Sequence, residues 1–519
     1  MRFTLPWIGR GRSEMDPEDG HAIPRPVRPR KPAKPGFRGY YRPNGGWAGK
    51  LPQVDEFFGV SSQVSGGFWP FSTDMVLPVS GVPLGQLRGN GAAVCCDPIS
   101  WFRDGIVSQP SMFVLGLPAI GKSTLVRRLV WGMSAMGVSA IIPGDLKGEY
   151  TELIRLLNGQ VISLGTHQGS VNLLDPGDVH SKLKLLNGTL RDDLMEDYHN
   201  RRLSGIEVII GIMRQSTGGS LSDVESNVLS TALKVLYEKT KNDKRPPIIA
   251  DLRDLIANPP GSVKNELRSA ATFEDPEDDE IYRKETHSLI ASLNGLANPN
   301  GKFGGMFCQQ TSDSIDVSRP VCYDIHSLAG AEDAVVAAVL ATTWSSAFAA
   351  KNAADLLAEA GLEPKRVHVM VLDEMHRALR SSPLMVDKFD LLTRLNRQWG
   401  FGQIMITHTF ADLLSMATED QNNKARGFVE RSAIKILGAL TSSEVDKYLR
   451  KESGLQIFQR EEDLLSDWTT PVSYQSQAAR KGRGKFLIKI GGLPGIAFNL
   501  RLCDLELSGF NDTNQKWHE

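Results

Sequence analysis

A loop bounded by two glycines constrains this chain more than any other feature of its sequence. Residues Gly116–Ser123 read GLPAIGKS, which has the spacing GxxxxGK[ST] and lies between an apolar run and a predicted helix. Glycine allows successive backbone N–H groups to turn towards an anion, and the first turn of the helix adds partial positive charge. The pattern predicts a strand, a phosphate-binding loop and a helix from Ser123 to Ala135.

Each position of this loop has a predicted role in binding a nucleoside triphosphate. Lys122 is expected to bind the β and γ phosphates, and the Ser123 hydroxyl is expected to bind Mg²⁺. Thr124 follows one turn deeper, where the base would approach. The predicted nucleotide-binding residues are Gly116, Leu117, Pro118, Ala119, Ile120, Gly121, Lys122, Ser123 and Thr124.

A second apolar run, much later in the chain, ends in two carboxylates. Val367–Leu372 predicts a buried strand, and Asp373 and Glu374 follow it directly. Such a strand places Asp373 beside the glycine loop, where it can hold Mg²⁺ through Ser123 or water. Glu374 then lies where it can act as a general base on the attacking water. With Lys122, the pair predicts an enzyme that hydrolyses ATP with Mg²⁺ as cofactor.

Short apolar runs bounded by turn residues or helical stretches recur along the chain. Runs of this kind are typical of strands that are buried on both faces of a sheet. Buried strands alternating with helices predict an α/β fold, in which a mostly parallel sheet is covered on both faces. The predicted strands are Met112–Leu115, Ser139–Ile142, Val161–Leu164, Val321–Ile325, Val367–Leu372 and Ile404–Thr407.

Composition shifts before the glycine loop predict two further segments. Residues 1–50 are rich in proline, glycine and arginine and cannot bury enough apolar surface to fold alone, so a disordered arm is expected. The arm is either a solvated leader or a docking segment for a partner, a membrane surface or nucleic acid. Residues 51–109 carry glycines and prolines between short apolar pieces, which predicts a small β-rich lead-in.

A change of pattern divides the rest of the chain. Residues 181–315 contain helical stretches and polar connections, with a capping box at Ser222–Glu225 that opens a helix through Tyr237. This segment is interpreted as a helical insertion in an ATPase core formed by 110–180 and 316–519. The core is predicted to end in a β-hairpin around the loop Gly491–Gly495.

Charge and cysteine content favour the cytoplasm. The formal net charge is −1, so no overall basic field draws the protein to nucleic acid or anionic lipid, and any such attraction must be local. The five cysteines include no CxxC pair, which favours a reducing compartment. The amino terminus has scattered charges and no apolar stretch before a cleavage site, so no signal peptide is expected. The uncharged stretch Ala334–Ala350 is short for a membrane span and is interpreted as a buried core helix.

The motifs after the glycine loop occur in an order that resembles one branch of ring ATPases. Asp145–Tyr150 reads DLKGEY, and Asn172–Pro176 reads NLLDP. With the loop and the two carboxylates, these elements resemble the HerA/FtsK branch of P-loop ATPases, and more particularly the TraC-like assembly ATPases of conjugative transfer and type IV secretion. The resemblance spans about 60 to 517 and implies a RecA-like P-loop fold.

The same resemblance implies roles for further residues. Ring motors of this kind complete the site with an arginine from the neighbouring subunit, and Arg394, Arg397 and Arg483 are the candidates. Thr407 and His408 stand at the sensor position, which is usually Thr-Gln in the family. His408 is expected to donate a hydrogen bond there, and its alternative role is that of a satisfied histidine at a strand end.

The resemblance also implies partners and a cellular role. It implies a homo-oligomer in the form of a hexameric ring, other subunits of a secretion or conjugation channel, and peripheral association with the inner face of the cell membrane through those partners. The expected function is an ATP-hydrolysing motor that powers assembly or substrate transfer. The alternatives are a DNA translocase or coupling protein of the FtsK/HerA kind, with a contact to DNA, and a nucleotide-binding scaffold without turnover.

Overall fold

The computed structural model describes residues 40–41, 47–48, 77–88, 91–165, 168–175, 188–214, 219–243, 245–270, 279–303, 305–381, 386, 390, 400–414, 418–450, 455–469 and 482–509. Contacts between residues divide the chain into two units, Met1–Phe57 and Phe58–Glu519. In the first unit, Tyr40–Tyr41 (β1) and Trp47–Ala48 (β2) pair antiparallel. The rest of the predicted arm and residues 51–76 of the predicted lead-in lie outside the described residues.

The second unit is built on one sheet of eleven strands. The strands are Pro83–Leu87 (β3), Ala93–Cys95 (β4), Ser111–Leu115 (β5), Val138–Asp145 (β6), Gln160–Ser163 (β7), Val321–Asp324 (β8), Val367–Leu372 (β9), Phe401–Thr407 (β10), Ile434–Leu437 (β11), Lys485–Lys489 (β12) and Ile496–Leu500 (β13). Their order across the sheet is β4-β3-β13-β12-β11-β5-β10-β9-β6-β8-β7. The strands from β11 to β7 in this order pair in parallel, and the others pair antiparallel.

The helices connect the strands and pack on the sheet. They are Pro98–Arg103 (α1), Lys122–Ala135 (α2), Thr151–Leu156 (α3), Thr189–Met213 (α4), Asp223–Thr240 (α5), Ile249–Ala257 (α6), Gly261–Ala270 (α7), Asp279–Ala297 (α8), Asp333–Glu359 (α9), Met375–Ser381 (α10), Phe410–Leu413 (α11), Glu419–Arg431 (α12), Ser442–Glu444 (α13), Gln459–Asp467 (α14) and Asp504–Gly509 (α15). A 3-10 turn spans His326–Leu328, and α13 continues into a π-helical turn at Val445–Arg450. The predicted α/β fold with a mostly parallel sheet is confirmed.

The central strands are buried because their sequences are apolar on both faces. Every residue of β5 and of β10 is buried, which is the pattern expected where helices cover both sides of a parallel strand. A strand lies at each of the six predicted apolar runs. The sequence interpretation missed β11, a four-residue strand that contains a buried Lys435 and pairs with β5.

The strands around the parallel part extend the same sheet. β12 and β13 form the predicted hairpin, with Phe486 opposite Phe498. β13 also pairs with β3, and β3 pairs with β4, so the strands of the predicted lead-in form an edge of the main sheet. Asp97 accepts hydrogen bonds from the backbone N–H groups of Val82, Ile99 and Ser100, which caps α1 and ties it to this edge.

Helices α4 to α8 occupy the segment between β7 and β8. The predicted capping box is present: Ser222 accepts from the Glu225 N–H, and Glu225 accepts from the Ser222 N–H. Glu225 also pairs bidentately with Arg214 at 2.9 and 2.8 Å, so the cap is joined to the end of α4.

The long helix α9 contains the uncharged stretch 334–350. Among the described residues it is the one helix long and apolar enough to cross a membrane, by length and composition alone, and most of its apolar part is buried inside the protein. It packs on β6, α4 and α10. The Thr343 hydroxyl lies within hydrogen-bonding distance of the Pro143 carbonyl oxygen in β6, at 2.5 Å. The prediction of a buried core helix is confirmed.

Candidate active site

The glycine loop connects the buried strand β5 to α2. Gly121 has a φ of 99°, a left-handed conformation that favours glycine, and it begins α2 without a side-chain cap. A Cβ on Gly116 would lie 2.4 Å from Ile120 Cδ1 and 3.1 Å from Gly438 Cα, so the first glycine permits close packing against the segment after β11. Ala119 has a φ of 65°, which is strained for a residue with a side chain.

Lys122 lies inside this loop with its side chain turned back over it. Its Nζ atom donates to the carbonyl oxygens of Gly116 at 2.5 Å and Leu117 at 3.1 Å. The side chain is buried, and burial lowers its pKa to about 8, although the carboxylates of Asp373 and Glu374 act in the opposite direction. The ammonium group is therefore a positive charge in a poorly hydrated loop, where an anion would be attracted strongly.

The remaining positions of the motif lie on the loop and the first turn of α2. Ser123 and Thr124 are half-buried and follow Lys122 directly on the helix. The Thr124 hydroxyl accepts a hydrogen bond from Arg127 at 3.4 Å, and Arg127 also donates to the Glu149 carbonyl at 3.1 Å. Pro118 and Ala119 form the exposed tip between the two glycines, and Leu117 is half-buried there.

The two carboxylates lie at the end of β9, on the same edge of the sheet as the loop. β10 lies between β5 and β9, and all three strands are parallel, so their carboxyl ends meet at one edge. Asp373 Oδ1 accepts from the Glu374 N–H at 2.8 Å, and Asp373 Oδ2 accepts from the Tyr150 hydroxyl at 3.0 Å. Glu374 has a φ of 51°, a strained conformation for glutamate that turns the chain sharply after the strand.

A histidine at the end of β10 joins the loop to the carboxylates. His408 Nδ1 lies 2.8 Å from Lys122 Nζ, and His408 Nε2 lies 3.0 Å from Glu374 Oε1. A neutral imidazole with its proton on Nε2 satisfies both contacts, because Nδ1 then accepts from the ammonium group while Nε2 donates to the carboxylate. His376, on α10, approaches the other oxygen of Glu374 at 3.5 Å.

Glu374 also forms an ion pair with Lys147, the lysine of the DLKGEY element. Burial alone would raise the pKa of Glu374, but the hydrogen bonds from His408 and Lys147 outweigh it and hold that pKa well below its usual range. Asp373 behaves in the opposite way, since burial and the neighbouring Glu374 charge raise its pKa to about 6. Two adjacent carboxylates thus differ in proton affinity because the side chains of Lys147 and His408 contact Glu374 directly, whereas they act on Asp373 only from a greater distance or not at all.

The DLKGEY element is fixed by its own first residue. Asp145 ends β6 and accepts from the backbone N–H groups of Glu149 at 3.0 Å and Tyr150 at 2.7 Å. This closes a turn that directs Lys147 towards Glu374 and Tyr150 towards Asp373. The sequence interpretation assigned no role to Lys147 or Tyr150; the family element that contains them was the available signal.

Of the three arginines that were predicted for a neighbouring subunit's site, the structure describes Arg483. Arg394 and Arg397 lie outside the described residues. Arg483 is exposed on a turn beside the loop of its own chain, because the Gly484 N–H donates to the Ile120 carbonyl at 2.9 Å. The Gly484 carbonyl accepts from Leu500 N–H at 2.8 Å, so β13 holds this turn against the loop.

These residues fit a magnesium-bound nucleoside triphosphate. The first turn of α2 has no side-chain cap, and a Cβ on Gly121 would meet nothing nearer than Gly484 N at 3.9 Å, which leaves room for a phosphate at the helix terminus. A hydroxyl and a carboxylate are oxygen ligands of the kind that Mg²⁺ takes together with phosphate oxygens, while an ammonium group binds the phosphates themselves. Lys122, Ser123 and Asp373 supply these three groups.

Comparisons with known proteins give matches at the level of structure. Neither protein-family models nor curated protein sequences match the chain. The structure of VirB4 of Thermoanaerobacter pseudethanolicus matches with a TM-score of 0.59 and 18% identity, over 84% of this chain and 100% of that one. The plasmid coupling protein TrwB in complex with the ATP analogue ADPNP matches with a TM-score of 0.47 and 13% identity, over 76% of this chain and 86% of that one. The chain therefore has the fold that is seen in the VirB4 structure, and the predicted RecA-like P-loop fold is confirmed.

Proposed function

We propose that the chain is an ATP-hydrolysing motor of a conjugative-transfer or type IV secretion-like apparatus, which powers assembly or substrate transfer. One observation carries the enzymatic part of this proposal. Lys122, which would bind the phosphates, and Glu374, which would activate water, both contact His408, at 2.8 and 3.0 Å. A phosphate-binding group and a general base thus lie on either side of one side chain.

In this proposal the glycine loop binds the triphosphate. Lys122 leaves the Gly116 and Leu117 carbonyls and binds the β and γ phosphates, which neutralises charge that develops on them during transfer. Ser123 and Asp373 would hold magnesium, which supplies positive charge to the phosphate oxygens when bound. Tyr150 keeps Asp373 oriented through its 3.0 Å hydrogen bond.

Glu374 would accept a proton from the attacking water. The water oxygen forms a bond to the γ phosphorus, the bond between that phosphorus and the ADP oxygen breaks, and the proton passes to the Glu374 carboxylate. The low pKa of Glu374 keeps it ionised, but its contacts with Lys147 and His408 make it a weak base. Lys147 has 42% of its side chain exposed, so it is the partner that can be exchanged for water.

The proposed assembly follows from the family resemblance and from the shared fold. We propose a hexameric ring of identical subunits at the cytoplasmic face of the membrane, attached through channel subunits. Arg483 is exposed next to the loop of its own chain, and we propose that it contacts phosphate there or across the subunit interface. Arg394 and Arg397 stay candidates for the arginine that a neighbouring subunit supplies.

The test is ATP turnover by the purified chain and by paired variants. Lys122→Ala is expected to abolish turnover, while the surface variant Lys302→Ala, which removes an exposed pair with Glu332, is expected to leave it unchanged. Glu374→Gln is expected to bind nucleotide and to lower kcat by about 10²- to 10⁴-fold, the usual contribution of a general base. Full turnover in Lys122→Ala would refute the assigned site.

The same assay separates the alternative functions. DNA-stimulated hydrolysis with a steep salt dependence would favour a DNA translocase or coupling protein, because phosphate contacts release counterions. Nucleotide binding without turnover in any oligomeric state would favour a scaffold. Turnover that DNA leaves unchanged supports the assembly motor.

A further inference from the structure

A cavity of about 430 Å³ lies away from the glycine loop, between α4, α9 and the segment that leads into β8. This volume is in the range of sites that bind small molecules in proteins. Tyr198 and Arg202 line it from α4, Tyr323 lines it from β8, and α9 contributes small residues. The proposed ATP hydrolysis gives this cavity no role.

Arg202 is the unusual residue of the cavity. Its side chain is more than nine-tenths buried, and its Nε atom has no hydrogen-bond partner among the described residues. The guanidinium stacks on the Tyr198 ring, 3.5 Å from the centroid, and lies 5.6 Å from that of Tyr237. The guanidinium also has the Tyr198 side chain as a hydrogen-bond partner and the Asp175 carboxylate nearby, but its unpartnered Nε–H remains a donor for a planar anion such as a carboxylate.

The other arginines of the lining are already paired. Arg201 pairs with Asp197 at 2.7 Å, and Arg366 pairs with Glu363 at 3.1 Å. Within the part of the chain that the structure describes, Arg202 is therefore the lining arginine without an ion pair. The lining as a whole contains three arginines and four carboxylates, which disfavours a polyanion such as a nucleotide. Arg202, the arginine left without an ion pair, can balance a single negative group.

Part of the lining that α9 contributes is apolar and made of small side chains. Ala349, Ala350, Ala353 and Ala354 lie on α9 at helical spacing along the cavity. Their methyl groups leave space that larger side chains would fill. A compact apolar body fits this wall while its anionic end reaches Arg202.

We propose that this cavity binds a carboxylate with a compact apolar body, either as a free small molecule or as the carboxy-terminal residue of a peptide. The carboxylate pairs with Arg202, and the apolar body packs against the alanine wall of α9. The shared chemistry is a single carboxylate on an apolar group. A free acid and a peptide terminus are the two sources of it.

Calorimetry with matched probes on the full chain tests this site. The probes are 4-methylpentanoate with 4-methylpentanamide as its neutral counterpart, and the tripeptide Ala-Ala-Leu with its carboxy-terminal amide. At least one carboxylate is expected to bind saturably, and about tenfold or more tightly than its amide, since a charged hydrogen-bonded pair is lost in the amide. The carboxylate that binds more tightly shows whether the natural ligand is a free acid or a peptide terminus. Equal binding of acid and amide, or no saturable binding by either acid, overturns the proposal.

Two substitutions locate the binding to this cavity. Arg202→Met keeps the apolar stem and is expected to weaken the stronger carboxylate about tenfold or more, whereas Arg191→Met, an exposed position on the same helix, leaves binding unchanged. Ala349→Leu fills the cavity and is expected to weaken binding by a similar factor, whereas Ala358→Leu, on α9 outside the lining, does not. Thermal unfolding of each variant is measured first, to show that the variant is folded. If Arg202→Met does not fold, the comparison of Ala349→Leu with Ala358→Leu tests the location of the binding site. Unchanged affinity in the folded variants overturns the proposal.

Discussion

The Nε2 atom of His408 lies 3.0 Å from the Oε1 atom of Glu374, at the ends of two neighbouring parallel strands. On its other side the same imidazole is 2.8 Å from Lys122 Nζ. Three side chains from separate parts of the chain thus form one hydrogen-bonded series. The series couples the position of the proposed phosphate-binding group to the proton affinity of the proposed general base.

Two substitutions of His408 are expected to distinguish the contribution of its hydrogen bond to turnover from that of its imidazole ring. His408→Ala removes the hydrogen bond that orients the Glu374 carboxylate, and a hydrogen bond to a charged group contributes about 1.5–3 kcal/mol. The loss of orientation is expected to outweigh the gain in base strength, so kcat for ATP is expected to fall by about tenfold to a hundredfold. His408→Gln keeps an amide donor and is expected to retain turnover within about threefold. Steady-state kinetics measures both, with His199→Ala as a control at a histidine that pairs with Ser230 among the helices. Undiminished turnover in His408→Ala contradicts this role.

Tyr150→Phe is expected to lower the apparent affinity of the enzyme for Mg²⁺. The variant removes the hydroxyl that donates to Asp373 at 3.0 Å and keeps the buried ring. Asp373 then loses its orientation, so the Mg²⁺ concentration for half-maximal turnover is expected to rise by roughly tenfold. Tyr282→Phe is the matched control, because its hydroxyl donates to the Ile256 carbonyl in the helical region. A magnesium titration that is the same in wild type and Tyr150→Phe would show that the hydroxyl has no such role.

Lys435→Met is expected to stabilise the fold near neutral pH. Lys435 is buried in β11, directly opposite Lys489 of β12, and burial lowers its pKa to about 8. Below that pH the folded protein carries a buried charge. Between pH 8 and the unfolded value near 10.5, the unfolded chain binds more protons, so stability rises with pH by about 3 kcal/mol in all.

Thermal unfolding from pH 7 to pH 10.5 measures this effect, over the range in which both proteins stay soluble. The wild type is expected to gain stability across the window relative to Lys435→Met, which lacks the titrating group. Lys239→Met, at an exposed lysine of α5, is the control and is expected to follow the wild type. Parallel pH profiles for wild type and Lys435→Met would rule out a strongly lowered pKa of Lys435 in the folded protein.

Lys489→Met is expected to destabilise the chain, in contrast to the lysine opposite it. Lys489 is fully buried and pairs with Glu461 at 3.0 Å, while Glu461 also accepts from the Gly495 N–H at 2.6 Å. Removal of one partner leaves a buried carboxylate without its cation, which costs about 3–5 kcal/mol. Chemical denaturation at pH 7 measures the loss, and a change below about 1 kcal/mol would contradict a stabilising role of the Lys489–Glu461 pair.

Local patterns in the sequence are sufficient to predict an element when the interactions that form it lie within a few residues. The run Met112–Leu115 is apolar on both faces, so it predicts a buried strand wherever it lies in the sheet. The capping box at Ser222 and Glu225 is satisfied within one helical turn. The spacing from Gly116 to Ser123 predicts a loop whose conformation depends on its own glycines. In β11 the buried Lys435 interrupts a four-residue run, so the sequence alone gave too weak a signal for a strand.

The sequence by itself determined the strand, loop and helix that contain Lys122 and the strand that ends at Asp373 and Glu374, because hydrophobic periodicity and glycine conformation act over a few residues. Only the tertiary structure decided that Lys147 and His408 hold Glu374, and that the turn of Arg483 lies against the loop of its own chain. Those contacts depend on the order of strands across the sheet. That order is set by the packing of the whole core, and no local pattern encodes it.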